Sequence, residues 1–138
     1  LIHHLANWMS VPSSLDGFDV ADAIGRMLDQ PALWWQNVGL FVEHFADWEQ
    51  GWQNSIGDDA REQKTVHALR SAAANVGATA LSEVAGEIEA LLLIRLAGHP
   101  TPVPSSLRQR LRDVFRQTWL SAANGRMSDA AGSRPQAG

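Results

Sequence analysis

From residue 31 to residue 119 apolar side chains return every three or four positions, the period of a helix with one face turned to a core. Trp34, Val38, Phe41, Phe45, Trp48 and Trp52 follow spacings of 4, 3, 4, 3 and 4. This predicts one long helix after Pro31, a residue that suits a first helical turn because no N–H partner is needed there. Gly51 sits inside that helix at a cost of about 1 kcal/mol relative to Ala. Gly57 is placed to end it, and Asp58 or Asp59 to cap the next. The second helix is predicted over 60–75, burying the stem of Glu62 with Val66, Leu69 and Ala73, with Val76 just beyond. Gly77 can take the left-handed conformation that stops it. A third helix starts at Thr79, turns Leu81, Val84, Ile88, Leu91 and Leu92 inward, and closes at Gly98-His99-Pro100. Pro102 and Pro104 stiffen the connection. A last helix starts near Ser105 with Leu107, Leu111, Val114 and Phe115 inward, Trp119 at its edge, and Arg108, Arg110, Arg112 and Arg116 wet or flanking.

The ends carry weaker patterns. Leu1, Leu5, Trp8 and Met9 share a side over 1–9 and read as the end of a helix. Ser10-Val11-Pro12-Ser13-Ser14 breaks it and reads as a linker. A short helix over 20–28 has Asp19 as its candidate cap. From Asn124 onward small and polar residues dominate and no apolar period survives, so a disordered tail is expected. No stretch alternates strictly, and four long stripes with short loops are most simply buried against one another. The predicted fold is therefore all-α, an antiparallel four-helix bundle with short N-terminal helices. Its expected organisation is a linker over 1–16, the bundle over 17–123 and the tail over 124–138.

Composition narrows the possible functions. The chain of 138 residues has fifteen acidic against eleven basic side chains, a net charge of −4. That disfavours nucleic-acid binding, which needs clustered positive charge. Cys is absent, so there is no disulfide framework or thiolate metal site. The longest apolar run, Ala90-Leu91-Leu92-Leu93-Ile94, ends at Arg95, far short of the roughly 18 residues that cross a bilayer. No direct membrane contact and no signal peptide are expected. The chain starts at Leu1 rather than Met, as expected of a piece of a longer protein.

The candidate chemistry lies on the second helix. At 100° per residue His67 falls roughly 120–130° from the core direction, so its imidazole should face water. Gln63, Lys64, Arg70, Ser71 and Ala74 share that stripe. A neutral imidazole nitrogen is a good nucleophile near neutral pH. Lys64 and Arg70, one turn before and after, are placed to offset a phosphoryl group there, each by about 1.5–3 kcal/mol where solvent is partly excluded. Ala68, Ser71, Ala72 and Ala74 have little bulk, so a partner's active site can approach.

The other histidines, His3, His4, His44 and His99, read as structural or incidental, with His44 half-buried beside Phe41 and Phe45. No metal site is expected: adjacent His3 and His4 cannot share one helical face, and the Glu-x-x-His pairs of a di-iron bundle do not occur. Trp34, Trp48, Trp52 and Trp119 fit on or beside core stripes, and Trp35 is placed to cover the short helix before it. No Gly-rich phosphate loop is present.

His67-Ala68-Leu69-Arg70-Ser71-Ala72-Ala73-Ala74-Asn75-Val76-Gly77-Ala78 resembles the signature of histidine-containing phosphotransfer domains: His-x-Leu-Lys-Gly, small residues, then an apolar-Gly-Ala step. Leu81 and Ile88-Glu89 resemble the family's next helix, and Gly17-Phe18-Asp19-Val20 with Ala23 its lead-in, so the resemblance spans 17–97. Two residues depart from it. Arg70 stands where Lys is usual and offers a planar fork instead of a compact ammonium. Ser71 stands where Gly is usual, and its hydroxyl can fold back on the His67 carbonyl.

The resemblance implies a phosphorelay intermediate in two-component signalling. His67 would be the phosphoacceptor, attacking a receiver's phospho-aspartate through Nε2 and passing the group to another receiver. Lys64 and Arg70 would stabilise the phosphate. Gln63, Ala68, Ser71, Ala74 and Asn75 would meet the response-regulator receiver. The chain would need no cofactor, Mg²⁺ belonging to the receiver. Residues 1–9 resemble the stretch after a receiver domain in hybrid sensor kinases, implying the C-terminal module of such a kinase. A cytoplasmic location follows, in a parent anchored in the bacterial inner membrane. A kinase dimerisation domain fits less well: Ala68 replaces the acidic residue expected after the His, no Pro occurs before Pro100, and no ATP-binding domain follows. ATP-dependent kinase activity of its own is not expected. The alternative is a docking module that binds a receiver or other helical partner without chemistry.

Overall fold

A computed structural model describes residues 10–133, and side-chain surroundings as far as Asp129. The expected helix at 1–9, the His3-His4 pair and the end of the tail at 134–138 lie outside the described residues. Among the described residues six helices follow in order: α1 (Val20–Arg26), α2 (Pro31–His44), α3 (Trp48–Ser55), α4 (Asp59–Val76), α5 (Thr79–Leu96) and α6 (Ser105–Ser133). Helices α2, α4, α5 and α6 surround one core, with α2 against α4, α4 against α5, α5 against α6, and α6 back against α2. This is the predicted antiparallel four-helix bundle, with α1 laid across α2 and α4.

The caps that position α4 act as their residue types dictate. The Asp58 carboxylate accepts from the Arg61 N–H at 3.2 Å, which satisfies one of the orphan donors at the helix start. Asp19 does the same for α1, accepting from Asp22 N–H at 3.1 Å. Gly77 ends α4 at φ +83°, and a Cβ there would meet the Asp19 carbonyl oxygen at 2.7 Å and Ala23 Cβ at 2.8 Å. Only glycine satisfies both the left-handed backbone and the close approach of α1.

Three expectations change. The helix predicted to run unbroken past Pro31 is broken at Phe45–Asp47 into α2 and α3. Neither Pro nor Gly stands at the break, so tertiary contacts explain it. Trp48 and Trp52 stack one turn apart on α3, at 5.1 Å between ring centroids, and the turn sets Trp48 against Phe115 of α6 at 4.9 Å. Trp48 Nε1–H then donates to the Thr65 carbonyl at 3.0 Å. The bonds and burial gained outweigh the helical bonds lost at the break.

The tail expected to be disordered from Asn124 continues α6 as helix as far as Ser133. Apolar period is absent there, and small size and aromatic contact replace it. Ala122 and Ala123 are buried. A Cβ on Gly125 would lie 3.0 Å from Leu15 and 3.2 Å from Trp35, so glycine lets α6 approach both. The Arg126 guanidinium stands 5.0 Å from the Trp35 ring centroid and donates to the Trp35 carbonyl at 3.2 Å. Trp35 is accordingly buried against the end of α6, beside its neighbour Trp34.

The third change is Glu62. The sequence reading buries only its stem, whereas the whole residue is buried. Arg108 donates to both its oxygens, at 3.0 and 2.7 Å, and Trp52 Nε1–H adds a third bond at 3.0 Å. Arg108 is thus drawn from the expected wet side of α6 into the bundle.

Candidate functional site

His67 stands midway along α4 with its side chain 55% exposed, as the helical angle predicts. Val66 and Leu69, on either side, are fully buried, so the backbone beneath the imidazole is fixed by the core. The ring itself is held by a residue of α5. His67 Nδ1 lies 2.7 Å from Glu89 Oε2. A carboxylate can only accept, so Nδ1 carries the hydrogen and donates it. That leaves the Nε2 lone pair as the free nucleophilic position of the neutral ring.

Glu89 is the centre of the arrangement. Its side chain is only 4% exposed, yet its three partners reach outward from α4. Gln63 Nε2 donates to Oε2 at 2.8 Å, the oxygen that His67 also uses. Arg70 Nη1 donates to Oε1 at 2.7 Å. Burial pushes the Glu89 carboxyl up, but hydrogen bonds from Arg70, Gln63 and His67, with attraction to the His67 ring, outweigh it and hold the group below its ordinary value of 4.5. Glu89 is therefore ionised at neutral pH. Arg70 runs alongside Gly86 of α5, its Nε and Cδ 3.5 and 3.6 Å from where a Cβ would stand, ordinary van der Waals range. The arginine can lie across α5 to reach the carboxylate.

The predicted site residues divide into three groups. Ala68, Ser71, Ala74 and Asn75 are exposed on the face of α4 that carries His67. Asn75 and Ala72 also border a shallow groove against α2, lined by Leu40, His44 and Phe45. Gln63 and Arg70 are instead committed to Glu89. Arg70 lies near the ring but does not stand as a free cation, which changes its expected part in the site. Lys64 is exposed and makes no ion pair or hydrogen bond among the described residues. The Ser71 hydroxyl does not fold back on the His67 carbonyl and has no hydrogen-bond partner among the described residues. His44 is exposed rather than half-buried, and His99 is exposed as well.

Glu89 is the residue for which sequence reasoning supplied no role. A signal was present. It stands at the edge of the inward stripe of α5, one residue after Ile88 and three before Leu92, and positions three and four away on its own helix hold no Lys or Arg. A buried acid with no intrahelical partner must be satisfied from another helix. The exposed stripe of α4 is the neighbour that holds a histidine, an arginine and a glutamine.

The arrangement therefore presents a nucleophilic nitrogen on a bare helical surface, with its ring orientation fixed from below by an ionised carboxylate. Comparison with curated proteins and with solved structures finds no match. The family model described as Hpt domain matches residues 41–119, from the last turn of α2 into α6, taking in both His67 and Glu89. With more than half its length covered by that match, and with an exposed histidine on the second long helix of a four-helix bundle, the chain belongs to the Hpt domain family.

Proposed function

We propose that this domain is a phosphorelay intermediate that accepts a phosphoryl group on His67 Nε2 from a receiver-domain aspartate and passes it to a second receiver. The observation that carries this reading is the pairing of His67 with Glu89. The 2.7 Å contact at Nδ1 selects the tautomer in which Nε2 is the nucleophile, and it restricts ring rotation before a partner arrives. Membership of the Hpt family supports phosphotransfer in two-component signalling and interaction with receiver domains in general.

The chain's own residues divide the work. His67 supplies the electron pair. Glu89 orients the ring, and Gln63 and Arg70 hold Glu89. Ala68, Ser71 and Ala74 leave room for the receiver around the nucleophile, and Asn75 extends the contact towards α2. Lys64 is the free cation best placed to approach the incoming phosphoryl oxygens. Mg²⁺ and most of the transition-state stabilisation belong to the receiver in this reading. The resemblance of residues 1–9 to the segment after a receiver domain supports placement at the C-terminal end of a hybrid sensor kinase, with the domain on the cytoplasmic side. Among the described residues no helix is long and apolar enough to cross a membrane.

The test is transfer from a panel of receivers phosphorylated beforehand with acetyl phosphate. The expected product is an acid-labile, base-stable phosphoramidate that maps to His67 by mass spectrometry. His67→Gln abolishes it while leaving the helical circular-dichroism signal unchanged. Undiminished labelling of that variant contradicts the assignment.

A further inference from the structure

The buried carboxylate bears on the product as well as on the nucleophile. When the Nε2 lone pair attacks phosphorus, the Nε2–P bond forms and the P–O bond to the aspartate breaks. The carboxylate departs with that electron pair. The ring gains one positive charge, and its proton remains on Nδ1. In the return direction the N–P electron pair comes back to the ring, which leaves as neutral imidazole with the same proton in place. No proton is taken up or released in either direction. If the Nδ1 proton were lost in between, the ring would have to leave as imidazolate, a much stronger base and a much poorer leaving group.

We propose that Glu89 holds the Nδ1 proton on phosphorylated His67, keeping the phosphohistidine a ready donor and biasing the transfer equilibrium towards the receiver aspartate. The inference rests on the phosphotransfer reading above and assigns a positioning residue for it. The geometry is a carboxylate oxygen 2.7 Å from Nδ1, on a residue 4% exposed, where the dielectric is lower than at the surface. Arg70 offsets part of the Glu89 charge, but it uses Oε1, the oxygen turned away from the ring. Gln63, which shares Oε2, is uncharged.

Among the described residues no other charged side chain, the unpaired Glu83 of α5 and Glu43 of α2 included, makes a hydrogen bond or ion pair with His67. Lys64 is the remaining cation on the exposed stripe. On α5, Glu87 pairs with Arg110 of α6. On α3, Glu49 pairs with Arg116 of α6, and on α1, Asp22 pairs with Arg26. On α2, His44 lies across the groove from Asn75. Glu89 is thus the anion that faces Nδ1.

The test uses the full chain loaded at His67 with potassium phosphoramidate, so that it does not depend on the identity of a receiver. Glu89→Gln keeps an oxygen that can accept from Nδ1–H but removes the charge. The expected result is a phosphohistidine that survives about threefold to tenfold longer at neutral pH, the scale set by losing one opposite charge beside the ring. The ring ¹⁵N spectrum should lose the Nδ1 proton, and the equilibrium with any receiver that labels the chain should move towards histidine by a similar factor. The double variant Glu89→Gln, Arg70→Ala should keep the longer lifetime, which separates the lost charge from a freed guanidinium. Circular dichroism checks that both variants fold. Equal lifetimes for wild type and Glu89→Gln overturn the proposal while leaving His67 as the acceptor. So does a double variant that returns to the wild-type lifetime. Failure of wild-type His67 to load at all overturns the phosphotransfer reading and this inference with it.

Discussion

Two buried glutamates on neighbouring helices meet different fates. Glu62 of α4 and Glu89 of α5 are both almost inaccessible, and each accepts three hydrogen bonds: Glu62 two from Arg108 and one from Trp52, Glu89 one each from Arg70, Gln63 and His67. The partners of Glu62 are themselves enclosed: Trp52 is fully buried and the Arg108 side chain is only 21% exposed. The partners of Glu89 are open, His67 at 55% and Arg70 at 50%. The same side chain closes the bundle in one place and holds an exposed imidazole at its surface in the other. What distinguishes them is the solvent exposure of the partners, because that decides whether a second protein can reach the group being held.

Removing each acid should separate the two sites most strongly. Glu62→Ala strands a mostly buried guanidinium and a buried indole N–H, and breaking such a pair costs about 3–5 kcal/mol. Glu89→Ala releases partners that can turn to water, so about 1–2 kcal/mol is expected. Urea unfolding of the two variants measures the contrast. Equal losses would show that partner exposure does not separate the sites.

A smaller effect concerns the docking face. Ser71 stands one turn after His67 on the exposed stripe. Ser71→Trp should hold a receiver's aspartate away from Nε2, and a misplacement near 1 Å can cost on the order of a hundredfold in rate. Melting should remain cooperative because no core contact is touched. Ser71→Gly should preserve or raise transfer, at a helix cost of a few tenths of a kcal/mol. Normal transfer by a folded Ser71→Trp variant would place the partner on another face.

Low pH reports on the charge of Glu89. The Glu89 carboxyl titrates below 4.5, its ordinary value, because three hydrogen bonds outweigh the effect of burial. A carboxyl lowered on folding contributes stability that is fully present above the unfolded value and is lost as pH falls through the folded one. Wild type should therefore lose stability below about pH 4.5 more steeply than Glu89→Gln, with the two curves parallel above it. Thermal melts across that range test this, and identical slopes would remove the claim that Glu89 is held ionised.

Much of this was readable from residue order. The 3.6-residue period located α4, α5 and most of α6, and Asp19, Asp58 and Gly77 marked boundaries because each residue type has a specific backbone task. The angle of His67 from Val66 and Leu69 placed it in water. Other features depend on contacts between helices. The break at Phe45–Asp47 lies within an unbroken apolar stripe and goes with contacts to other helices, Trp48 against Phe115 and its bond to the Thr65 carbonyl. The last turns of α6 have no stripe, since Gly125 and Arg126 work by close approach and by ring contact. Arg70 looked like a free cation because its partner is nineteen residues away, beyond the reach of any helical period.

On the proposed reading Glu89 fixes the Nδ1–H tautomer so that Nε2 takes the phosphoryl group. The most direct measurement is ¹⁵N–³¹P coupling in the ring-labelled chain after phosphorylation by a receiver. Phosphorus bonded to Nε2 of His67 is the predicted result. Phosphorus bonded to Nδ1, the nitrogen that faces Glu89, would contradict the account.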